Sequence, residues 1–339
     1  MSHEITATDN VMLHREPAWH RLGTVVQDAP TPREALPIAR LDWMVEQWPL
    51  LAVQEGGHRQ GVDTHVLNVR SDNHDQLGVV GSGYKPIQNH EMADFAEALA
   101  KEHDVVRLET AGSIRGGQKV WMLLKGQSFS VRADDEVAPY ILISNGHDGT
   151  AALRCTPTTV RVVCSNTLHM VIPERDRKSI ARGGNAYVVW HTGNVMQKVE
   201  EARKALRLYD HALEATQELC GTLAGRDVTK QQIQDFWLDV YQRDWGAVPA
   251  KPADAKEQRQ RDKAADAMNA MARIFDTRRA VGGATAWNAA NAYTEWLQHE
   301  RPVRVNDQHK ADERRLSENL LGVNAERSRK AMEFAAQSF

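Results

Sequence analysis

The sequence predicts an α+β protein, with an antiparallel, hairpin-rich sheet and a few helices followed by a helical C-terminal half. Three observations carry this reading. Apolar-alternating runs divided by turn-forming clusters fill the chain from His65 to Trp190. From about Asn194 the apolar period lengthens to that of an amphipathic helix. The strands come as a block before the helices, so a βαβ alternation with a parallel sheet is not expected. The change of period divides the 339 residues into an α+β domain, 1–192, and a helical domain, 193–339.

The elements follow in order. Pro17, Pro30, Pro32, Pro37 and Pro49 rule out long helices in the first 60 residues, because proline removes a donor and clashes with the preceding turn. Thr31 as N-cap and Pro32 at the first helical position predict one short helix over Thr31–Ala39. His65–Arg70 and Gln76–Val80 read as a hairpin around Ser71-Asp72-Asn73-His74-Asp75. Asn89 reads as the cap of a helix whose apolar face is Met92, Phe95, Ala96 and Leu99. A second hairpin, Val105–Ala111 with Lys119–Lys125, turns at Gly112-Ser113-Ile114-Arg115-Gly116-Gly117. Tyr140–Ser144 and Ala151–Cys155 form a third pair, and Thr158–Met170 fits helix and strand alike. Helices are then expected from Asn194, over Val228–Tyr241 with Thr229 as cap, over Lys256–Thr277, over Thr285–Glu300 and over Ala325–Ala336.

Composition narrows the function classes. Hydrophobic residues at 42% and charged residues at 26% belong to a globular chain, and a net charge of -3 gives no overall pull toward DNA or membrane. Cys155, Cys164 and Cys220 form no CxxC pair and leave a thiol unpaired, which reads as a reducing compartment. No apolar run approaches the roughly 20 residues of a membrane span, and Met1–Asn10 has no apolar core, so a cytoplasmic location is expected.

Catalytic signatures are missing. There is no GxxxxGK[ST] loop, and the Gly112–Gly117 loop lacks the GxG pair and leads into a strand, so it reads as a hairpin turn. The 14 histidines include no HxH or HExxH, and no cofactor or metal is expected. His147 and Asp148 lie in a glycine-bracketed turn, where backbone geometry alone explains an Asp. The positive charge, in contrast, is local. Between Ala151 and Asp210 stand ten basic and five acidic residues, an excess of five on a chain that is negative overall. A groove tracking a single strand needs cations for phosphates and aromatic faces for bases. Arg115, Lys119, Arg154, Arg161, Lys178 and Arg182 are the candidate cations, and Trp121 leads the candidate rings, with Tyr140, Tyr187 and Trp190 behind it. Arg203, Lys204 and Arg207 read instead as the solvated face of a helix.

Five ordered motifs carry a family resemblance. They are Trp19-His20-Arg21-Leu22-Gly23, Gly83-Tyr84-Lys85-Pro86-Ile87-Gln88-Asn89, Glu109–Gly117, Arg161–Leu168 and Thr285–Glu295. In these the chain resembles a prokaryotic family carried mostly by phages, prophages and plasmids, domain of unknown function 932. That resemblance implies a role among mobile-element genes, where replication, recombination and defence evasion are the usual tasks. In outline the front half is also similar to phage single-strand annealing proteins: hairpin strands, a helix, and a glycine- and basic-rich hairpin ahead of a helical tail. That similarity implies a ring- or filament-forming homo-oligomer that binds single-stranded DNA without nucleotide or metal. The competing expectation is a protein-interaction factor acting on host defence or replication.

Overall fold

A computed structural model describes residues 11–14, 24–102, 107–132, 134–161, 166–170, 186–188, 195–280, 282–303, 314–315, 318–319 and 323–339. The fold is α+β, strands in the first half and helices in the second. Its contacts form two compact units. The first unit takes Met1–Gln127, Tyr140–Pro157 and Arg175–Tyr209, and the second takes Ser128–Pro139, Thr158–Glu174 and Asp210–Phe339. The chain therefore passes between units several times, where the sequence suggested one boundary at 192/193.

In the first unit, β1 (Val11–His14) and β2 (Thr24–Val26) are parallel, and β1 also pairs antiparallel with β6 (Arg107–Ile114). β6 turns at Arg115–Gly117 into β7 (Lys119–Lys125), and β7 pairs along its length with residues 140–146 of β9 (Asp135–Gly146). The start of β10 (Arg154–Arg161) takes β12 (Tyr187–Val188) as neighbour. The hairpin β6–β7 is the one the sequence predicts, but Gly112, Ser113 and Ile114, expected in its loop, continue the strand and the turn shortens to Arg115–Gly117.

Two helices belong to this sheet. α1 (Pro32–Ile38) opens with the expected Thr31 cap, completed as a capping box by Glu34. α2 (Asn89–Glu102) packs on β7 and on α1, burying Met92, Phe95, Ala96 and Leu99 as its spacing predicts. The apolar side chains of Val120, Met122 and Leu124 share one face of β7, by strand alternation, with Ile141 and Ile143 of β9, and all five are buried.

A second sheet stands in the order β3 (Val45–Val53), β4 (Arg59–Arg70), β5 (Gln76–Gly81). The sequence showed only the β4–β5 hairpin. β3 was hidden because Pro49-Leu50-Leu51-Ala52-Val53 does not alternate, and most of the strand is exposed. Beyond the reach of β5, β3 and β4 continue as a two-stranded ribbon, with Leu50 opposite Val62 and Val53 opposite Arg59.

In the second unit, β8 (Phe129–Arg132) pairs with residues 135–137 of β9, and residues 158–161 of β10 pair with β11 (Asn166–His169). The ambiguous Thr158–Met170 segment is therefore strand over residues 158–161 and 166–169. The helices are α4 (Lys230–Trp245), α5 (Ala255–Arg278), α6 (Ala286–Glu295) and α7 (Val323–Ser338), beside the second half of α3 (Val195–Gly225), which begins in the first unit. α4 starts at the expected Thr229, again as a capping box with Gln232.

α6 is buried on every side from Ala286 to Thr294 and runs into a π-helical turn at Trp296–Glu300. A helix so enclosed must satisfy its polar groups internally. Trp287 Nε1 donates to Asp135 Oδ2 at 2.8 Å, Asn291 Nδ2 donates to the Trp287 carbonyl at 2.9 Å, and the Tyr293 hydroxyl donates to Asp244. Trp237, Phe275, Trp296 and Leu297 complete this core, so the tryptophans of the back half are packing residues. No described helix is long and apolar enough to cross a membrane.

Candidate nucleic-acid interface

The candidate residues begin at the β6–β7 turn. Ile114 and Lys119 are paired across it, and the four residues from Arg115 to Gln118 must reverse the chain between them. Arg115, Gly116 and Gly117 enter the left-handed region to do so, with φ of 57°, 67° and 94°. A Cβ on Gly117 would meet Trp43 at 2.7 Å, so this position needs glycine for conformation and for space. Trp43 is held in turn by Arg70, whose guanidinium lies 4.5 Å above the ring and reaches the Gly116 carbonyl at 3.3 Å. Arg70 is buried and pairs with Asp72 at 2.7 Å. Burial pushes the Asp72 carboxyl up, but its bonds to Arg70 and to backbone outweigh that and hold it below its ordinary value.

Beside this turn lies a second one, at residues 146–150. His147 N–H donates to the Gln118 carbonyl at 2.9 Å and fixes the two turns together. The His147 side chain is fully buried, and its Nε2 meets Asn89 Oδ1 at 2.9 Å. Burial pushes the imidazole down to about 3, with Lys119 and Arg70 adding to the shift and Asp148 opposing it, so His147 is neutral at physiological pH. The amide of Asn89 also donates to the Leu41 carbonyl at 3.0 Å, and Asn68 Nδ2 donates to the His147 carbonyl at 2.8 Å. Asn145 Nδ2 reaches the Ile87 carbonyl at 3.2 Å and Tyr84 donates to the Gly146 carbonyl at 3.1 Å.

The sequence expectation for Asn89 is corrected here: its side chain does not cap α2 but ties that helix to the turns. The entry of α2 is closed instead by Glu91, which accepts from the Gln88 N–H at 2.9 Å. His147 and Asn89 are the residues that sequence reasoning missed. The only available signal was their place in turn and helix-start motifs, which also has a purely local explanation.

Against this scaffold the predicted residues separate. Arg115 is exposed at the tip of the turn. The Lys119 ammonium pairs with Asp148 at 2.9 Å and bonds Thr150. Burial raises the Asp148 carboxyl, and the bonds from Lys119 and Thr150 outweigh it, leaving a net fall. Trp121 is buried at 3% exposure, opposite Gly112 and Ser144, with its Nε1 without a partner, so it offers no face for stacking.

Tyr140 is buried beside Lys125, whose ammonium lies 5.9 Å from the ring centre, and Tyr187 is buried with its hydroxyl on Glu201 at 2.6 Å. Arg154 is half-buried on β10, opposite Val188, and its Nε is buried without a partner. Arg161 lies on β10, and only its backbone is described. Lys178, Arg182 and Trp190 lie outside the described residues. The structure thus brings Arg115 and Lys119 to one hairpin end, and of the four candidate side chains it describes Arg115 is the exposed one.

The helical cations behave as the solvated face they were read to be. Arg203 pairs with Glu102 at 3.2 Å, Lys204 with Glu201 at 3.0 Å and Arg207 with Glu200 at 3.9 Å. Cys155 and Cys220 are buried, and burial pushes the Cys155 thiol up to about 12, so it is an inert packing group. Among the described residues no group of three or more His, Cys, Asp or Glu side chains is placed to hold a metal ion.

With the geometry in place, comparison with known families is informative. The model of a family described as Domain of unknown function (DUF932) matches residues 76–320. The chain belongs to this family. No curated protein and no solved structure matches it. The DUF932 match begins at the first residue of β5 and takes in Tyr84, Asn89, Arg115, Lys119, His147 and Asp148. It leaves out β3, Trp43 and Arg70, and the ribbon. The two turns and the start of α2 therefore lie inside the matched region, whereas the ribbon precedes it.

Proposed function

We propose that the protein binds single-stranded DNA as a homo-oligomer and serves strand annealing in the recombination of a mobile element. The observation that carries the reading is the order of elements. A hairpin sheet (β3–β5) is followed by α2, by a glycine-turn hairpin with a cation at its tip, and then, past further strands, by the 31-residue helix α3. That is the order the likeness to phage single-strand annealing proteins implies. Arg115 supports it further. It projects from a turn braced underneath by Trp43 and Arg70, and a cation on a rigid base loses little freedom when it meets a phosphate. Arg154, Lys178 and Arg182 are the further cations this reading draws on.

The test is fluorescence anisotropy with labelled single-stranded and duplex DNA across a salt series. The reading requires tighter binding to the single strand and an affinity whose logarithm falls by about 0.7 per log unit of salt for each phosphate neutralised. Arg115→Glu should weaken binding and leave the circular dichroism spectrum unchanged. No binding at low salt sinks the proposal.

One observation favours a second reading, a protein-interaction factor. Of the eight large hydrophobic side chains that are exposed among the described residues, Met44, Trp48, Leu51, Val53 and Val79 all lie on or beside the three-stranded sheet. A host protein that co-purifies through this sheet, with no nucleic acid shifted, decides for that reading.

A further inference from the structure

We propose that the outer ribbon of β3 and β4 is a self-complementary surface through which two copies of this chain associate about a two-fold axis. The ribbon runs beyond β5, so over residues 50–62 it has two strands and no third. A two-stranded ribbon with no covered face is marginal in water by itself. Its composition is also wrong for a free surface: Leu51 is 58% exposed and Val53 69% exposed.

The register shows which residues share a face. Leu51 stands opposite Gly61 and Val53 opposite Arg59, and alternation puts both pairs on one side of the ribbon. A Cβ on Gly61 would point into open space, with Asp63 Oδ1 its nearest neighbour at 3.9 Å, so the Asp63 carboxylate lies on that side too. The face therefore reads Arg59, Gly61, Asp63 along β4, with Leu51 beside the notch left by Gly61.

This pattern is complementary to itself. Turning a second copy by 180° about an axis through Leu51 and Gly61 brings each Arg59 opposite the other copy's Asp63, twice over. It also sets each Leu51 against the other copy's Leu51, an apolar contact on the axis. An isologous contact requires that one patch satisfy its own image, and a cation and an anion placed symmetrically about a small residue do this. A nucleic acid is a poor occupant of the same face. From residue 50 to 63 the chain carries Glu55 and Asp63 against Arg59, so the ribbon offers no net positive charge to phosphate. The face is small, so the association is reversible and concentration-dependent.

This inference rests on the homo-oligomeric part of the proposed function and not on its DNA part. Sedimentation velocity of the full chain over a wide dilution series tests it, with DNA anisotropy measured on the same samples. Wild type should move from dimer or higher order toward monomer on dilution. Leu51→Glu should weaken association about tenfold or more, since it places an unpaired charge at the contact. Arg59→Asp should weaken it as well, and the exchanged pair Arg59→Asp with Asp63→Arg should restore it, because the swap preserves the pairing. All of these positions are exposed, so unchanged thermal melts are expected for every variant.

A wild type that is monomeric throughout, or association that Leu51→Glu leaves intact, overturns the proposal. Failure of the double exchange to recover what Arg59→Asp lost overturns the two-fold arrangement. A Leu51→Glu monomer that still binds single strands supports the ribbon as assembly surface apart from DNA binding. A dimer sensitive to Leu51→Glu that binds no DNA supports the ribbon and removes the annealing reading.

Discussion

The same three strands, β3, β4 and β5, end in two different ways. At the inner end Val45, Asn68, Val69 and Arg70 are buried, and the polar groups there are bonded to the turns at 115–117 and 146–150. At the outer end almost nothing is buried, and Leu51 and Val53 face water. The inner end uses hydrogen bonds where apolar packing would have served, and buried polar networks of this kind fix one arrangement of loops more narrowly than a greasy contact does. The outer end uses apolar residues where polar ones would have been more soluble. Together they show that burial, more than hydrophobicity, separates the two ends of one sheet.

Substitutions break that comparison in a definite order. Asn89→Ala should cost the most, about 3 kcal/mol, because it strands His147 Nε2 and the Leu41 carbonyl in a buried site; urea denaturation midpoints measure it. Gly117→Ala follows at about 2 kcal/mol, from positive φ and from overlap with Trp43, and a melt against wild type reads it.

Acid comes next. The folded His147 titrates near 3, below its ordinary 6.5, so the unfolded chain binds the extra proton between these values. Stability is then complete above about pH 6.5 and falls by about 1.4 kcal/mol per pH unit below it. Asp148, lowered from 3.8, adds its loss only at lower pH. A pH series of denaturation curves separates the two, and His147→Gln should flatten the upper part of the slope. At the other extreme, Leu51→Glu should change stability by less than about 0.5 kcal/mol, since nothing in its own unit covers it. A large loss there would mean that the ribbon is held within the chain.

Local rules were enough for much of the fold. Thr31-Pro32 and Thr229 begin helices because their caps act over three residues, and the period change near Asn194 marks the start of α3. The 3.6-residue spacing of Met92, Phe95, Ala96 and Leu99 fixes the buried side of α2. What stayed hidden depends on residues distant in the chain. Asn89 looks like a cap until His147 and Leu41 are beside it, 58 and 48 positions away. Lys119 counts as a free cation until Asp148 arrives from 29 positions downstream. Trp121 has the same sequence signal whether it faces a base or a core. Of the candidate site, Arg115 alone could be read with its exposure intact, because a glycine turn keeps its tip outside.

The division of the chain into two units bears on synthesis. Residues 128–139 and 158–174 leave the ribosome well before α4 to α7, yet they belong to the same compact unit as those helices. Trp287 reaches back 152 positions to Asp135 for its hydrogen bond. Strands β8 and β11 must therefore wait, unpaired with their helical partners, while more than a hundred residues are made. Exposed strand edges during that interval invite wrong pairing. The second unit is thus the one that folds late, and a fragment ending at residue 192 would carry two of its pieces with nothing to close on.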